Sequence, residues 1–319
     1  MSANSCELNP CESYPFDRAA ADSVRGPRRA LQLADLAVDV LVAEAMLTPK
    51  PALVDRRGSG AHRDLDLARM LKSARSLRGT FLSMASAAAG REPDQALREE
   101  LARIGRAGEG PMFAATGGSN SHRGAIWVLG LLVAARAIQG ETSPRGDSAP
   151  GSEAGPRTTA ALAARIAAFP DRHAPATRDS HGAGVCRRFG VGGARGEAVA
   201  GFPHVVEVGL PAMWAARAQG ADETCAQLDA LMAIMATLDD TCLLHRGGLP
   251  ALRAAQRGAR DTLMAGGSSS AAGRRALLRL DAELVQRNAS PGGCADLLGA
   301  CIFLDSGHQQ RPATALWAR

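Results

Sequence analysis

Aromatic side chains are nearly missing from this chain: Phe, Trp and Tyr make up 3% of its 319 residues, and tyrosine occurs once. That scarcity, with arginines scattered rather than gathered in one block, argues against a protein that stacks bases on aromatic platforms. A large excess of one charge sign is also lacking. Lys+Arg number 37 against 32 Asp+Glu, a formal net charge of +5, which favours a small anionic ligand over a nucleic acid. The seven cysteines (Cys6, Cys11, Cys186, Cys225, Cys242, Cys294 and Cys301) include no Cys-x-x-Cys pair. Neither a zinc knuckle nor a disulfide framework is indicated, and most are expected to be buried, reduced thiols. There is no His-x-x-x-His spacing and no His-Asp dipeptide, the spacings expected of a zinc site and of an all-α metal phosphohydrolase. No apolar run reaches membrane-spanning length, and Met1–Asp17 lacks the basic-then-apolar order of a signal peptide, so the cytoplasm is the expected location, without a membrane partner.

With aromatics scarce, alanine, leucine and valine must fill the interior, and short side chains of that kind suit closely packed helices. The apolar period is helical. Leu33, Leu36, Ala37, Val40, Leu41 and Leu47 share one face, and Leu67, Met70, Leu71, Ala74, Leu77 and Phe81 another, with Asp64 as its expected N-cap. Further helices are predicted around Leu97–Ile104, Ile126–Val133, Leu228–Leu238, Leu277–Leu284 and Leu297–Leu304. The only strand-like run, Val205–Val208, is too short to found a sheet. The expectation is an all-α, single-domain helical bundle over residues 28–306 with glycine-rich loops at its helix ends. A poorly ordered arm is expected at 1–27, a surface excursion at 140–157 and a tail at 307–319.

What the chain does have collects in those loops. The fullest is Asp239-Asp240-Thr241-Cys242-Leu243-Leu244-His245-Arg246-Gly247-Gly248, which follows an apolar helical run. Carboxylates hold hard cations through oxygen, while arginine and free backbone N–H groups hold phosphate, so both in one segment suggest a metal-complexed polyphosphate. The bland alternative is a helix C-terminus with a solvated acidic pair and a glycine stop. Other loops pair a basic residue with glycine: Lys50 to Arg57-Gly58, Thr116-Gly117-Gly118 to Arg123-Gly124, and Gly193-Ala194-Arg195-Gly196-Glu197. Glycine admits close backbone approach, and the segment ending at Gly124 leads into the most apolar helix, a geometry that favours an anion.

Taken in order, these blocks resemble the triphosphoribosyl-dephospho-coenzyme A synthase family over roughly residues 30–305. The carrying residues are Leu47-Thr-Pro-Lys-Pro51 with Leu53-Val-Asp55; Gly60-Ala-His-Arg-Asp64; Ala115-Thr-Gly-Gly118 with Asn120 and His122; Gly193-Ala-Arg-Gly-Glu197 with Gly201-Phe-Pro203; Asp239-Asp-Thr241 with Leu244-His-Arg-Gly-Gly248; and Arg287-Asn288 with Ser290-Pro-Gly-Gly293 and Ala295-Asp-Leu-Leu298. Three positions depart from the family pattern: Arg123 stands where lysine is common, Cys242 where asparagine is common and Cys294 where serine is common.

The resemblance implies a transferase that moves the triphosphoribosyl group of ATP onto the 2′-hydroxyl of 3′-dephospho-coenzyme A and releases adenine. Its product is the prosthetic-group precursor of an acyl carrier protein, in malonate decarboxylase or alternatively citrate lyase. The Ala- and Arg-heavy composition leans toward the former. An α-linkage made from a β-nucleotide implies inversion in one displacement. Such chemistry needs a triphosphate cradle, a carboxylate facing an oxocarbenium-like centre, a base for the attacking hydroxyl and help for departing adenine. By this resemblance Asp239 and Asp240 are Mg²⁺ ligands, one of them through water or serving as base. Lys50, Arg56, Arg63, Arg123, Arg195 and Arg246, with the backbone of Gly117, Gly118 and Gly247, are phosphate contacts. Glu197 and Asp55 are candidates for the facing carboxylate or the base. His62, His122 and His245 protonate adenine or bind the metal, and Asn120, Asn288 and Asp296 contact ribose or base.

The bland readings of the same residues are N-caps, salt bridges, a turn at Asn288 and surface arginines. The competing classes are an all-α Mg-dependent nucleotide phosphohydrolase and a non-catalytic nucleotide binder. Monomer or homodimer, and docking of the carrier protein or its transferase, are left open.

Overall fold

The structure is a computed structural model that describes residues 18–140, 154–174 and 181–306. In chain order its helices are α1 (Arg18–Met46), α2 (Leu67–Ser76), α3 (Arg78–Ala88), α4 (Gln95–Thr116), α5 (Arg123–Gln139), α6 (Ala154–Ala168), α7 (His181–Phe189) and α8 (Gly193–Val199). A π-helical turn (His204–Gly209) runs into α9 (Leu210–Ala218), followed by α10 (Glu223–Thr237), α11 (Thr241–Met264), α12 (Ala271–Gln286) and α13 (Gly292–Ser306). Among the described residues there is no sheet, only an isolated bridge between Asp55 and Gly58. The all-α reading holds, and no described helix is long and apolar enough to cross a membrane.

Sequence dictates which helices are central. In α5, α10 and α13 most positions are buried, including Leu129 and Leu132, Leu228 and Leu231, and Leu298 and Phe303, as expected of helices apolar all round. α13 packs against α1, α5, α10 and the π-helical turn. Outer helices bury one face: in α1, Leu33, Ala37, Val40 and Leu41 face inward while Asp35 is exposed. The five described cysteines are free thiols, three buried and two half-buried.

Several boundaries differ from expectation. α1 begins at Arg18, so residues 18–27 of the expected arm are helical. α6 begins at Ala154, inside the expected excursion; residues 141–153, 1–17 and 307–319 lie outside the described residues. Asp66, not Asp64, caps α2, accepting the Arg69 N–H at 2.8 Å. The period through Phe81 is two helices, because the chain tightens at Leu77, whose N–H reaches the Ala74 carbonyl one residue short of the α ladder. Val205–Val208 is π-helical: Val205 and Val206 are buried and Gly209 sits hard against Cys301 and Ile234, so burial overrides β propensity.

The acidic pair lies at a different kind of boundary from the one expected. α10 ends at Thr237, and Asp240 is the N-cap of α11. Gly247 and Gly248 do not stop that helix. Gly248, at φ 62°, puts a kink in it, and the helix continues to Met264.

Candidate active site

Seven parts of the chain meet around a cleft of about 940 Å³. Its walls are the C-terminal end of α1 with the following loop, the His62–Asp64 loop, α4 at Arg98, the approach and first turns of α5, α8, the α10–α11 junction and the start of α13. Twelve of the expected site residues line it: Lys50, His62, Asn120, His122, Arg123, Arg195, Glu197, Asp239, Asp240, His245, Arg246 and Asp296.

Asp240 is 1% exposed and bridges two helices. One carboxylate oxygen accepts the N–H of Cys242 at 2.7 Å and of Leu243 at 3.3 Å, and the other accepts the N–H of Cys294 at 2.8 Å. Burial raises this carboxyl above its ordinary range although those donors oppose the shift. Asp239, its neighbour, is exposed on the cleft wall. Among the described residues no three His, Cys, Asp or Glu side chains converge as a metal cage. Asp296 enters from the second turn of α13. Burial first, then the Glu44 and Asp240 carboxylates, push it well above the usual carboxylate range. Gly124 makes room for it: a Cβ there would lie 1.9 Å from the Asp296 Oδ2. Glu197 is buried, its oxygens taking the His204 backbone N–H at 2.8 Å and the His204 ring at 2.7 Å. That hydrogen bond raises the His204 pKa above the ordinary imidazole value.

The histidines have fixed tautomers or missing partners. Arg246 Nη2 can only donate, so its 3.2 Å contact makes His62 Nδ1 an acceptor; His62 Nε2–H then donates to Ser290 Oγ at 2.9 Å. Burial, then the Arg246 charge, lowers His62 to about 4. His122 meets Ser73 Oγ at 2.8 Å through Nδ1, while its buried Nε2 has no partner; burial and Lys50 lower it to about 4 as well. Both rings are neutral near pH 7.

Lys50 lines the cleft but is 1% exposed, and its ammonium donates to the Glu44 carbonyl and carboxylate, each at 2.6 Å. It is the counter-ion of a buried acid instead of an open phosphate contact. Seven expected residues lie outside the cleft lining. Asp55 is buried against the Lys50 N–H and the Arg57 guanidinium, which leaves it shaping the loop. Arg56 and Arg63 are exposed to solvent. Gly117 and Gly118, at φ 68° and 95°, end α4 in a left-handed turn, with the Gly118 N–H on the Phe113 carbonyl. Gly247 is within α11 against Ala251. Asn288, at φ 53°, makes the turn after α12.

The cleft also contains residues that sequence reasoning passed over. Glu44 and Arg98 are charged groups on the buried faces of α1 and α4, a signal that was readable as charge where the helical period calls for apolar residues. Trp127 lies under the Arg98 guanidinium at 4.8 Å and donates its indole N–H to the Ala194 carbonyl. Ser290 stood in a quoted motif without a role. His204, which holds Glu197 from behind, had no signal beyond following Gly201-Phe-Pro203.

An all-α body with one large cleft, cationic along Arg98, Arg123, Arg195 and Arg246 and acidic at its floor, defines a small-molecule enzyme for an anionic substrate. The family model CitG, ATP:dephospho-CoA triphosphoribosyl transferase, matches residues 30–314, and the chain belongs to that family. It is 54% identical over 280 residues to a protein of Azotobacter vinelandii named probable 2-(5''-triphosphoribosyl)-3'-dephosphocoenzyme-A synthase, covering 88% of this chain and 92% of that one. Proteins of the same name from Pseudomonas paraeruginosa (56% identity; 86% of this chain, 89% of that one) and Stutzerimonas stutzeri (54%; 88% and 93%) are similar along the same length. No solved structure matches the chain.

Proposed function

We propose that this transferase makes the prosthetic-group precursor of the malonate decarboxylase acyl carrier protein, with the cleft binding ATP and 3′-dephospho-coenzyme A together. The single observation that carries the two-substrate reading is the cleft itself: about 940 Å³, with arginines on its rim and acids of different character at its floor. Arg123, Arg195 and Arg246 hold the ATP triphosphate. Mg²⁺ arrives as part of MgATP and is bound mainly by phosphate oxygens, with Asp239 the carboxylate exposed to meet it. This fits a donor set too sparse for a protein-only cage. Asp240, engaged by backbone N–H groups, orients that segment.

Glu197, held by the His204 backbone and ring, faces the oxocarbenium-like centre, and Asp296, whose carboxyl burial and neighbouring carboxylates push well above the usual range, supplies the proton that departing adenine needs. Two acids in contrasting surroundings, one hydrogen-bonded to His204 and the other beside further carboxylates, suit paired electrostatic and acid roles. His245, exposed on the cleft wall, takes the proton of the attacking 2′-hydroxyl. His62 and His122 are neutral donors that orient substrate. The Ala- and Arg-rich composition supports the malonate decarboxylase side.

The test is incubation with ATP, Mg²⁺ and dephospho-coenzyme A. Free adenine and a coenzyme product heavier by a triphosphoribosyl group are expected, with Asp239→Asn raising the Mg²⁺ requirement. Inorganic phosphate without adenine would mean hydrolysis. Transfer of the product to apo-carrier proteins of malonate decarboxylase and citrate lyase, each with its own transferase, decides the pathway.

A further inference from the structure

A second chamber of about 180 Å³ lies beside the main cleft, and Arg98, Arg123 and Trp127 border both. Its inner wall is apolar: Met84, Leu101, Gly105, Ile126, Gly130 and Leu131. Two helix positions in that wall carry no side chain, which lets Met84 pack closely against them. A Cβ at Gly130 would come within 2.6 Å of Met84 Sδ, and one at Gly105 would meet Met84 Cε at 3.3 Å and Ile126 Cγ2 at 3.4 Å. At the chamber edge Arg106 is paired with Asp171, and Arg123 with Glu109 at 2.7 Å.

Arg98 differs from both. It is 6% exposed and its side chain makes no hydrogen bond or ion pair among the described residues: Nε is buried without an acceptor, and the Asp171 and Glu99 carboxylates act on it only at a distance. What it does contact is the face of Trp127. A largely buried guanidinium on a cavity wall, without a hydrogen-bonding partner of its own, has donors that an anion can take up in charge-assisted bonds. The wall between the two cavities therefore holds an incomplete anion site.

The substrates of the proposed reaction limit what can fill it. Transfer brings the ribose C1 of ATP and the 2′-hydroxyl of the dephospho-coenzyme to one point, so both adenosines stay in the main cleft. The ATP triphosphate is anionic throughout and does not suit an apolar wall. What remains is the long uncharged thiol-ended arm of the acceptor, joined to its adenosine through a diphosphate. We propose that the side chamber binds the pantetheine arm of 3′-dephospho-coenzyme A, with Arg98 holding the diphosphate at its mouth. The assignment rests on the transferase reading and specifies how that enzyme recognises its acceptor.

The experiment compares two acceptors in the full-length protein, 3′-dephospho-coenzyme A and ADP, which presents the same adenosine diphosphate without the arm. KM values come from adenine release, and dissociation constants from calorimetry. Wild type is expected to favour dephospho-coenzyme A over ADP about tenfold or more, and Gly105→Leu and Ala102→Leu each to raise its KM about tenfold while leaving ADP and ATP within about twofold. Arg98→Gln should raise KM for both acceptors about tenfold or more, with ATP within about twofold. Unfolding midpoints check that each variant is folded, and Ala102→Leu, which starts from a residue that already carries a Cβ, guards against a misfolded glycine variant. Equal treatment of the two acceptors by wild type, an equal effect or none on both from the chamber-filling variants, or an Arg98→Gln defect confined to ATP would overturn the proposal. Absence of adenine release by wild type would instead sink the transferase reading, and calorimetric preference for the armed ligand would still report on the chamber.

Discussion

Replacing Asp240 by alanine removes two things that the structure keeps together in one side chain. The first is the N-cap of α11, made through the Cys242 and Leu243 N–H groups; the second is the tie to α13 through the Cys294 N–H. Loss of an N-cap destabilises by about 0.5–2 kcal/mol. Leaving the buried Cys294 N–H without an acceptor adds about 1–3 kcal/mol. Since the residue is 1% exposed, water does not readily replace either contact, and the expected loss for Asp240→Ala is about 2–5 kcal/mol. Asp240→Asn keeps one oxygen for the cap but sets its amide against the Cys294 N–H, so it should fall between the wild type and the alanine variant. Urea unfolding at pH 7, followed by circular dichroism, should show a lower midpoint with an unchanged slope. Adenine release should fall in both variants even well below their midpoints, because Asp239 and His245 flank the same cap. A wild-type midpoint for Asp240→Ala would show instead that the acid does not join α11 to α13.

Stability should also depend on pH through His62 and His122. Both have pKa values near 4 in the folded protein against an ordinary 6.5, so the unfolded chain binds protons that the native state refuses between those values. Stability is then complete above pH 6.5 and falls as pH drops toward 4, by about 3 kcal/mol per histidine at most. Denaturant unfolding across that window should give His122→Gln a shallower pH slope than wild type, and equal slopes would count against the burial of a neutral ring. Gly124→Ala should lower adenine release about tenfold or more by driving the Asp296 carboxyl from its place, because the added Cβ overlaps Oδ2. Gly117→Ala, at the exposed end of α4, should lower stability modestly through its left-handed backbone and leave the KM values unchanged.

Helical class, and much of the burial pattern, could be read without coordinates because both are local: the 3.6-residue period of Leu33 to Leu47, and the all-apolar runs of α5 and α13, determine which faces must leave water. The loops that carry chemistry were legible for a similar reason, since glycine beside arginine or aspartate has few uses within a packed helix. Which of those polar residues face one another was not local. Asp55 and Asp240 are both acids in motif loops, yet one shapes its own loop around Arg57 while the other joins helices at the cleft floor. Lys50 reads as a phosphate contact between prolines and turns out to be sealed against Glu44, a partner assigned only by how α1 and the following loop pack. Local sequence therefore carries the helical class, the family and the supply of reactive groups. Only the tertiary arrangement decided which charges are neutralised, which histidines lose their protons and which arginine is left without an acceptor, because burial and pairing depend on neighbours that lie far apart along the chain.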